Sequence, residues 1–275
     1  MATPHETYRL IGNSSLLNRS PWQVMWSVWT ALFLREALAR LFSSRGAWAW
    51  LLLEPIFHIA YLVIIFTVIR VHSVSGFDTG LWIVVGLLAF FTFERTSGQT
   101  ANAINANKSL FSYRQVQPID TMFVRALLEL LLLALVAIVI FCVAAMLGHK
   151  VLPNEPFEFF VAIFGLWLLA IGWGLVRAVL HDLVPEIEIV LNFFMKPMYI
   201  ISGVMVPLAS IPLPYRDWLL LNPVAQGIEA ARASFSATYH PVSGLSVSYL
   251  FAFALLLFFV GLLLMRRFAL RLVTA

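Results

Sequence analysis

Cysteine is almost missing: Cys142 is the only one in 275 residues, and it sits in an apolar run. No internal disulfide or thiolate metal cluster can be built from it. Charge is scarce as well, at 12% of residues, against about a quarter in a soluble domain. Lysine occurs only at Lys108, Lys150 and Lys196, and no Gly-Lys pair exists, which removes the Walker phosphate loop. His5-Glu6 opens HETYR without the second histidine of a zinc helix, and the remaining histidines scatter without carboxylates at ligand spacing. Gly172-Trp173-Gly174 lacks the third glycine of a dinucleotide fingerprint, and no serine sits in a GxSxG elbow. Basic residues flank apolar runs instead of forming a stripe with aromatics, which argues against nucleic acid as a partner. Residues 1–21 are polar and read as no cleavable signal peptide. Nothing here reads as an enzyme or as a cofactor site. If energy is consumed, another chain must supply it.

What the sequence has is grease. Hydrophobic residues make up 61%, and the mean hydropathy is +0.89. The chain therefore reads as an all-α integral membrane protein. About 20 mostly apolar residues make a spanning helix, and 48–70, 81–100, 121–147, 157–180 and 247–266 qualify. A shorter segment at 189–206, carrying Lys196 and Pro197, is read as the fifth of six spans. Twelve basic residues fall on the side of the termini: Arg9, Arg19, Arg35, Arg40, Arg45, Lys108, Arg114, Arg125, Arg177, Arg266, Arg267 and Arg271. Lys150, Arg216 and Arg232 fall opposite. By the positive-inside rule both termini are cytoplasmic. The organisation is then a cytoplasmic segment (1–47), a six-span domain (48–266) and a short cytoplasmic tail (267–275).

Three stretches stand out. Ser20-Pro21 is a helix start, followed by Trp22, Met25, Trp26, Trp29 and Phe33 at helical spacing. It reads as an amphipathic helix at the membrane interface, either a plain anchor or also a surface for a partner. The loop from Ala101 to Asp120 is longer than a connector requires, and Pro118 and Asp120 mark the start of the third span. Residues 207–246 stay on the outer side. Their apolar runs are too short to cross, and Pro207, Pro212, Pro214 and Pro223 interrupt them. Backbone of that kind survives at membrane depth only under cover of protein. The expectation is a re-entrant hairpin returning through Arg216–Leu221, then a helix from Pro223 to about Phe235.

Polar residues within the spans are the candidate site, because ionisable groups in lipid mark a pathway or an internal partner. Glu54, His58 and Tyr61 share one face of the first span. Trp173 and Arg177 share a face near the end of the fourth, suited either to a sugar bearing an acid group or to simple interfacial anchoring. Lys196 either meets an anionic substrate or pairs with Glu186 or Glu188. Arg125 and Glu129 read as an internal ion pair.

The stretch KPMYIISGVMVPLASIPLPYRDWLLLNPVAQGIEAARASF (196–235) resembles the membrane, or permease, subunit of ABC exporters of capsular polysaccharide, within the capsule and O-antigen exporter group. Tyr199, Ser202, Gly203, Val204, Pro207, Pro212, Arg216, Asn222, Pro223, Glu229 and Arg232 carry the likeness. So do Asn107, Lys108, Tyr113, Val116, Pro118, Asp120 and Arg125, and the Glu54-Pro55 pair. The resemblance implies a homodimer working with two copies of a cytoplasmic ATPase, which would hold the ATP and magnesium. It implies a coupling loop (Lys108, Tyr113, Arg114, Gln117, Pro118) and an outward gate (Pro207, Pro212, Pro214, Arg216, Asn222, Pro223, Glu229, Arg232). The substrate would be a lipid-linked polysaccharide, handed on to periplasmic adaptor and outer-membrane export proteins, from a bacterial inner membrane. An O-antigen or teichoic-acid permease is the near alternative. An ion-coupled secondary transporter would show internal repeats, and a lipid-sugar transferase would show a clustered acid or base; neither is found.

Overall fold

The computed structural model describes residues 20–69, 73–74, 76–113 and 115–274, so Arg9, Arg19, Arg70 and Arg114 lie outside the described residues. Helices α1 (Pro21–Leu41), α2 (Ala47–Ile69), α3 (Thr79–Ala101), α4 (Ala103–Asn107), α5 (Pro118–Met146) and α6 (Pro156–Leu183) come first. They are followed by α7 (Ile187–Ile201), α8 (Tyr215–Leu220), α9 (Pro223–Phe235), α10 (Val247–Arg267) and α11 (Ala269–Thr274). Between α2 and α3 lies a two-stranded ribbon that the hydropathy pattern does not announce. It pairs Ser73 with Asp78 and Val74 with Phe77, antiparallel. Among the described residues five helices, α2, α3, α5, α6 and α10, are long and apolar enough to cross a membrane.

The helix starts have local causes. Ser20 caps α1 in a capping box with Gln23. Asp78 accepts from Leu81 N at 2.9 Å to cap α3. Pro118 occupies the first turn of α5, so that helix starts three residues before the expected 121; Gln117 is its cap, and Asp120 reaches back to Gln117 N at 3.0 Å. The expected fifth span at 189–206 is a helix of 15 residues, about 22 Å long at 1.5 Å per residue. Ser202 ends it and Gly203 follows at φ +74, a left-handed conformation that glycine adopts without a Cβ clash.

Packing decides where this short helix must go. Gly165 lies against Leu250, Gly172 against the Leu257–Phe258 backbone, and Leu175 against Gly261. Both numbers rise together, so α6 and α10 run parallel. The chain from 184 to 246 therefore returns from the end of the bundle where α6 stops to the end where α10 starts. Its last part is α9, which runs along α6 in the opposite sense. Glu155 N bonds to Ser234 O at 2.9 Å at the mouth, while Gly227 sits against Leu166, about 15 Å further along the α6 axis.

Arg232 on α9 is completely buried. It donates to Gly203 O at 2.7 Å, Val204 O at 2.8 Å and Trp82 O at 3.3 Å, and its guanidinium lies 3.5 Å from the Trp82 ring centroid. Glu229 is 3.7 Å away and accepts from the Tyr239 hydroxyl at 2.6 Å. Burial, reinforced by the Glu229 carboxylate, pushes Tyr239 above the usual phenol range and keeps it a donor. Gly86 makes room: any Cβ there would collide with the Arg232 guanidinium. One cation thus binds α3, the end of α7 and α9.

Arg232→Ala is expected to lower stability by about 3 kcal/mol, as for breaking a buried charge pair, seen as an earlier thermal transition in detergent. Gly86→Leu should do the same and Arg267→Ala, on the exposed end of α10, should not. An unchanged transition in Arg232→Ala would show that the clasp carries no stability.

Candidate functional site

At the α1 end of the bundle the polar residues converge. Helix α1 lies beside the first three turns of α5. Trp29 Nε1 donates to Asp120 Oδ1 at 2.9 Å, Arg125 reaches Glu36 at 2.7 Å, and Arg40 reaches Glu129 at 2.9 Å. Arg40 also holds Glu36 at 3.2 Å and Gln99 Oε1 on α3 at 2.6 Å. Arg95 joins Glu54 of α2 at 2.7 Å to Glu129 at 3.7 Å. Glu36 and Glu129 are both buried, and both have the guanidinium partners that burying a carboxylate requires.

This corrects the expected Arg125–Glu129 pair. The two share a helix face, but each finds its partner on another element. The tryptophan stripe of α1 is likewise divided. Trp22 and Trp26 are exposed together with Leu34 and Leu38, whereas Trp29 turns inward and Leu32 and Glu36 are buried. Helix α1 thus carries its charges inward and its grease outward.

The expected path residues separate into two groups. Glu54, His58 and Tyr61 do share an exposed face of α2, with Tyr61 57% exposed. His58 lies 3.3 Å from the Tyr199 hydroxyl on α7, with the Phe91 ring edge-on. Lys196 is exposed and pairs with neither Glu186 nor Glu188. By contrast, Arg177 is buried and held by Glu188 and Asn192, which closes the elbow between α6 and α7. Trp173 packs against the core beside it. Arg177 thus links α6 to α7.

In the loop after α3, Phe111 is buried while Lys108, Tyr113 and Gln117 are exposed. Arg35 of α1 donates to Asn107 Oδ1 at 2.5 Å, so α1 and this loop are joined. In the segment after α7, Pro207 precedes a single 3-10 turn (Leu208–Ser210), and Pro212 and Pro214 are exposed before α8. Arg216 is half-buried. Asn222 caps α9 through Val224 N at 3.0 Å and donates to Ser202 Oγ at 3.0 Å, with Pro223 in the first helical turn. Among the described residues no cluster of histidine, cysteine or carboxylate side chains could hold a metal.

Residues 27–236 of this helical bundle match the ABC-2 type transporter family. The chain belongs to that family. It is 37% identical over 248 residues to the polysialic acid transport protein KpsM of Escherichia coli, covering 90% of this chain and 96% of that protein. It is 27% identical over 246 residues to the capsule polysaccharide export inner-membrane protein BexB of Haemophilus influenzae, covering 87% and 90%. With CtrC of Neisseria meningitidis serogroup A, also named a capsule polysaccharide export inner-membrane protein, it shares 27% over 208 residues, covering 74% and 77%.

Double-mutant cycles test the ion-pair assignment. Glu36→Ala combined with Arg125→Ala should show a coupling of about 1 kcal/mol or more, in the range for contacting pairs. Arg125→Ala with Glu129→Ala should couple less. The reverse order, measured by thermal unfolding, would restore the i, i+4 pair.

Proposed function

We propose that this chain is the permease subunit of an ATP-driven exporter that carries lipid-linked capsular polysaccharide out of the bacterial cytoplasm across the inner membrane. The observation that carries the proposal is the similarity to KpsM over nine-tenths of the chain. The outward face of α2 supports it. Glu54, His58 and Tyr61 lie well inside the helix and stay exposed even though Glu54 pairs with Arg95 and His58 meets Tyr199, and polar groups exposed to lipid are costly. A second copy of the chain, enclosing a wet path against that face, removes the cost. Tyr61 and Tyr199 then offer rings for sugars, and Lys196 a cation for acid groups.

In this reading 184–246 completes six crossings, with α7 and the residues after it as the fifth. Residues 207–235 form the re-entrant outward gate, with Arg232 and Glu229 as its fixed post and Pro212, Pro214 and Arg216 at its movable rim. Both termini face the cytoplasm, in line with the basic residues. The exposed Trp22 and Trp26 rest at headgroup depth. A separate ATPase dimer binds ATP and magnesium and presses on Lys108–Pro118. The Arg35–Asn107 bond passes that displacement to α1. Periplasmic adaptor and outer-membrane export proteins receive the polymer.

Two measurements decide this. With Cys142 replaced, Lys108→Cys and Tyr113→Cys should crosslink to the co-expressed ATPase in a nucleotide-dependent way, and failure of the chain to co-purify with any ATPase would sink the proposal. Tyr61→Ala should leave assembly intact and reduce glycan-stimulated ATP hydrolysis roughly three- to tenfold, the equivalent of about 1 kcal/mol of aromatic contact. Unchanged stimulation would remove the α2 face from the path.

A further inference from the structure

A cavity of about 260 Å³ opens between α2, α3 and α5, at the end of the bundle where the ribbon lies. The buried Ile59, Leu81 and Val84 close its floor, and the exposed Ile64, Val139 and Val143 form its rim. It is therefore a groove, open sideways to whatever surrounds the helices. It follows α2 from Ile56 to Ile64, about 12 Å at 1.5 Å per residue, and α5 over the same length from Val139 to Leu147. Ala60 and Ala144 leave the space between these walls. The lining has two polar side chains, Asp78 and His149, and both stand at the mouth. Local backbone puts them there. Asp78 caps α3 and pairs with Ser73 in the ribbon. His149 ends a Schellman turn, in which Gly148 takes φ +87 and His149 N donates to Ala144 O at 3.1 Å. His149 Nδ1 stands 3.7 Å from Asp78 Oδ1, longer than a hydrogen bond, and Asp78 Oδ2 accepts nothing among the described residues. Lys150, next in the chain, is exposed.

Size and charge narrow the occupant. At this length and volume the groove is about one side chain wide, too narrow for a helix, which is about 10 Å across. An apolar cavity of ~150 Å³ already stays dry and takes up benzene, so this larger one suits hydrocarbon. Its length fits within one leaflet, half of a hydrocarbon core of ~30 Å. A single acyl chain can enter from the side. The mouth then selects the head. Phosphatidylglycerol or a fatty acid would bring a second negative charge to Asp78. Phosphatidylethanolamine brings an ammonium to the free Asp78 oxygen and a phosphate to the His149 N–H and Lys150, so that each half of the zwitterion meets its opposite.

We infer that the groove between α2 and α5 binds one acyl chain of a phosphatidylethanolamine molecule, with the ammonium on Asp78 and the phosphate on His149 and Lys150. The lipid fills the wall between the two helices where Ala60 and Ala144 provide no bulk. The inference requires only that the chain lies in a membrane, and it is independent of what the chain transports.

The test places the full-length chain in phosphatidylcholine nanodiscs with a trace of phosphatidylethanolamine carrying a photoreactive diazirine in its acyl chain. Crosslinks are mapped by peptide mass spectrometry. Labelling of 56–64 and 139–147 should exceed that of the equally apolar, exposed stretch around Leu255 on α10 at least tenfold. Unlabelled phosphatidylethanolamine should displace it at least fivefold more effectively than phosphatidylglycerol. Asp78→Asn keeps the helix cap, since asparagine caps as well as aspartate, so the thermal transition should hold while that preference falls below twofold. Ala144→Phe, which fills the groove, should reduce its labelling at least tenfold, and Leu255→Phe should leave it unchanged. Even labelling of all exposed helices, or labelling that survives Ala144→Phe, overturns the site. Equal displacement by the two lipids, or an Asp78→Asn variant that keeps the preference, overturns the head assignment and leaves a groove for hydrocarbon alone. With Cys142 replaced, a disulfide from Val143→Cys to another protein in native membranes would give the groove to a protein and overturn the lipid.

Discussion

Arg232 has no exposed surface, and three segments meet on it: the second turn of α3, the glycine-led turn that ends α7, and α9. Two liabilities cancel there. A turn buried away from water leaves carbonyls that need donors. A buried guanidinium needs acceptors and a compensating charge. Gly203 O and Val204 O accept from the arginine, Glu229 lies nearby, and the Trp82 ring supplies a negative face. Because this junction exists, the proline-interrupted chain after α7 can be packed inside the bundle along α6.

The opposite end solves a similar problem with a network instead of a single residue. Helix α1 hides Glu36 and Arg40 and exposes tryptophan and leucine, the reverse of a soluble surface helix. The arrangement makes sense when lipid is the solvent: apolar side chains cost nothing outside, and charges must find each other inside. It also binds the N-terminal helix to the loop after α3 through Arg35 and Asn107 and to α5 through Trp29 and Asp120. These elements form one block. A mixed face of α2, joined to that block through the Glu54–Arg95–Glu129 contacts, keeps Tyr61 exposed.

Much of this was legible in the chain. The apolar runs locate the five long helices to within a few residues, since a helix of that length in lipid needs little more than composition. Ser20-Pro21 and the residues around Pro118 mark helix starts because caps are local chemistry. The short α7 was overdrawn: apolar residues continue to Val206, but Gly203 turns the backbone at Ser202. Of the candidate path, Glu54, His58 and Tyr61 kept their shared face, since helical spacing alone sets it. Arg177 was misleading in one dimension, because its partners Glu188 and Asn192 lie across an elbow that no periodicity reveals.

The amino-acid sequence by itself determined that the chain is a helical membrane protein, where its long helices begin, and which residues share a helix face. These depend on length, hydropathy and neighbours within a turn. Tertiary structure alone decided how the charges pair and where α9 lies. Arg232 meets the Trp82 carbonyl across 150 residues of chain, and Arg40 meets Glu129 across 89. A charge buried at membrane depth needs a partner, but the choice among partners is made by helix packing, which brings distant segments within hydrogen-bond reach.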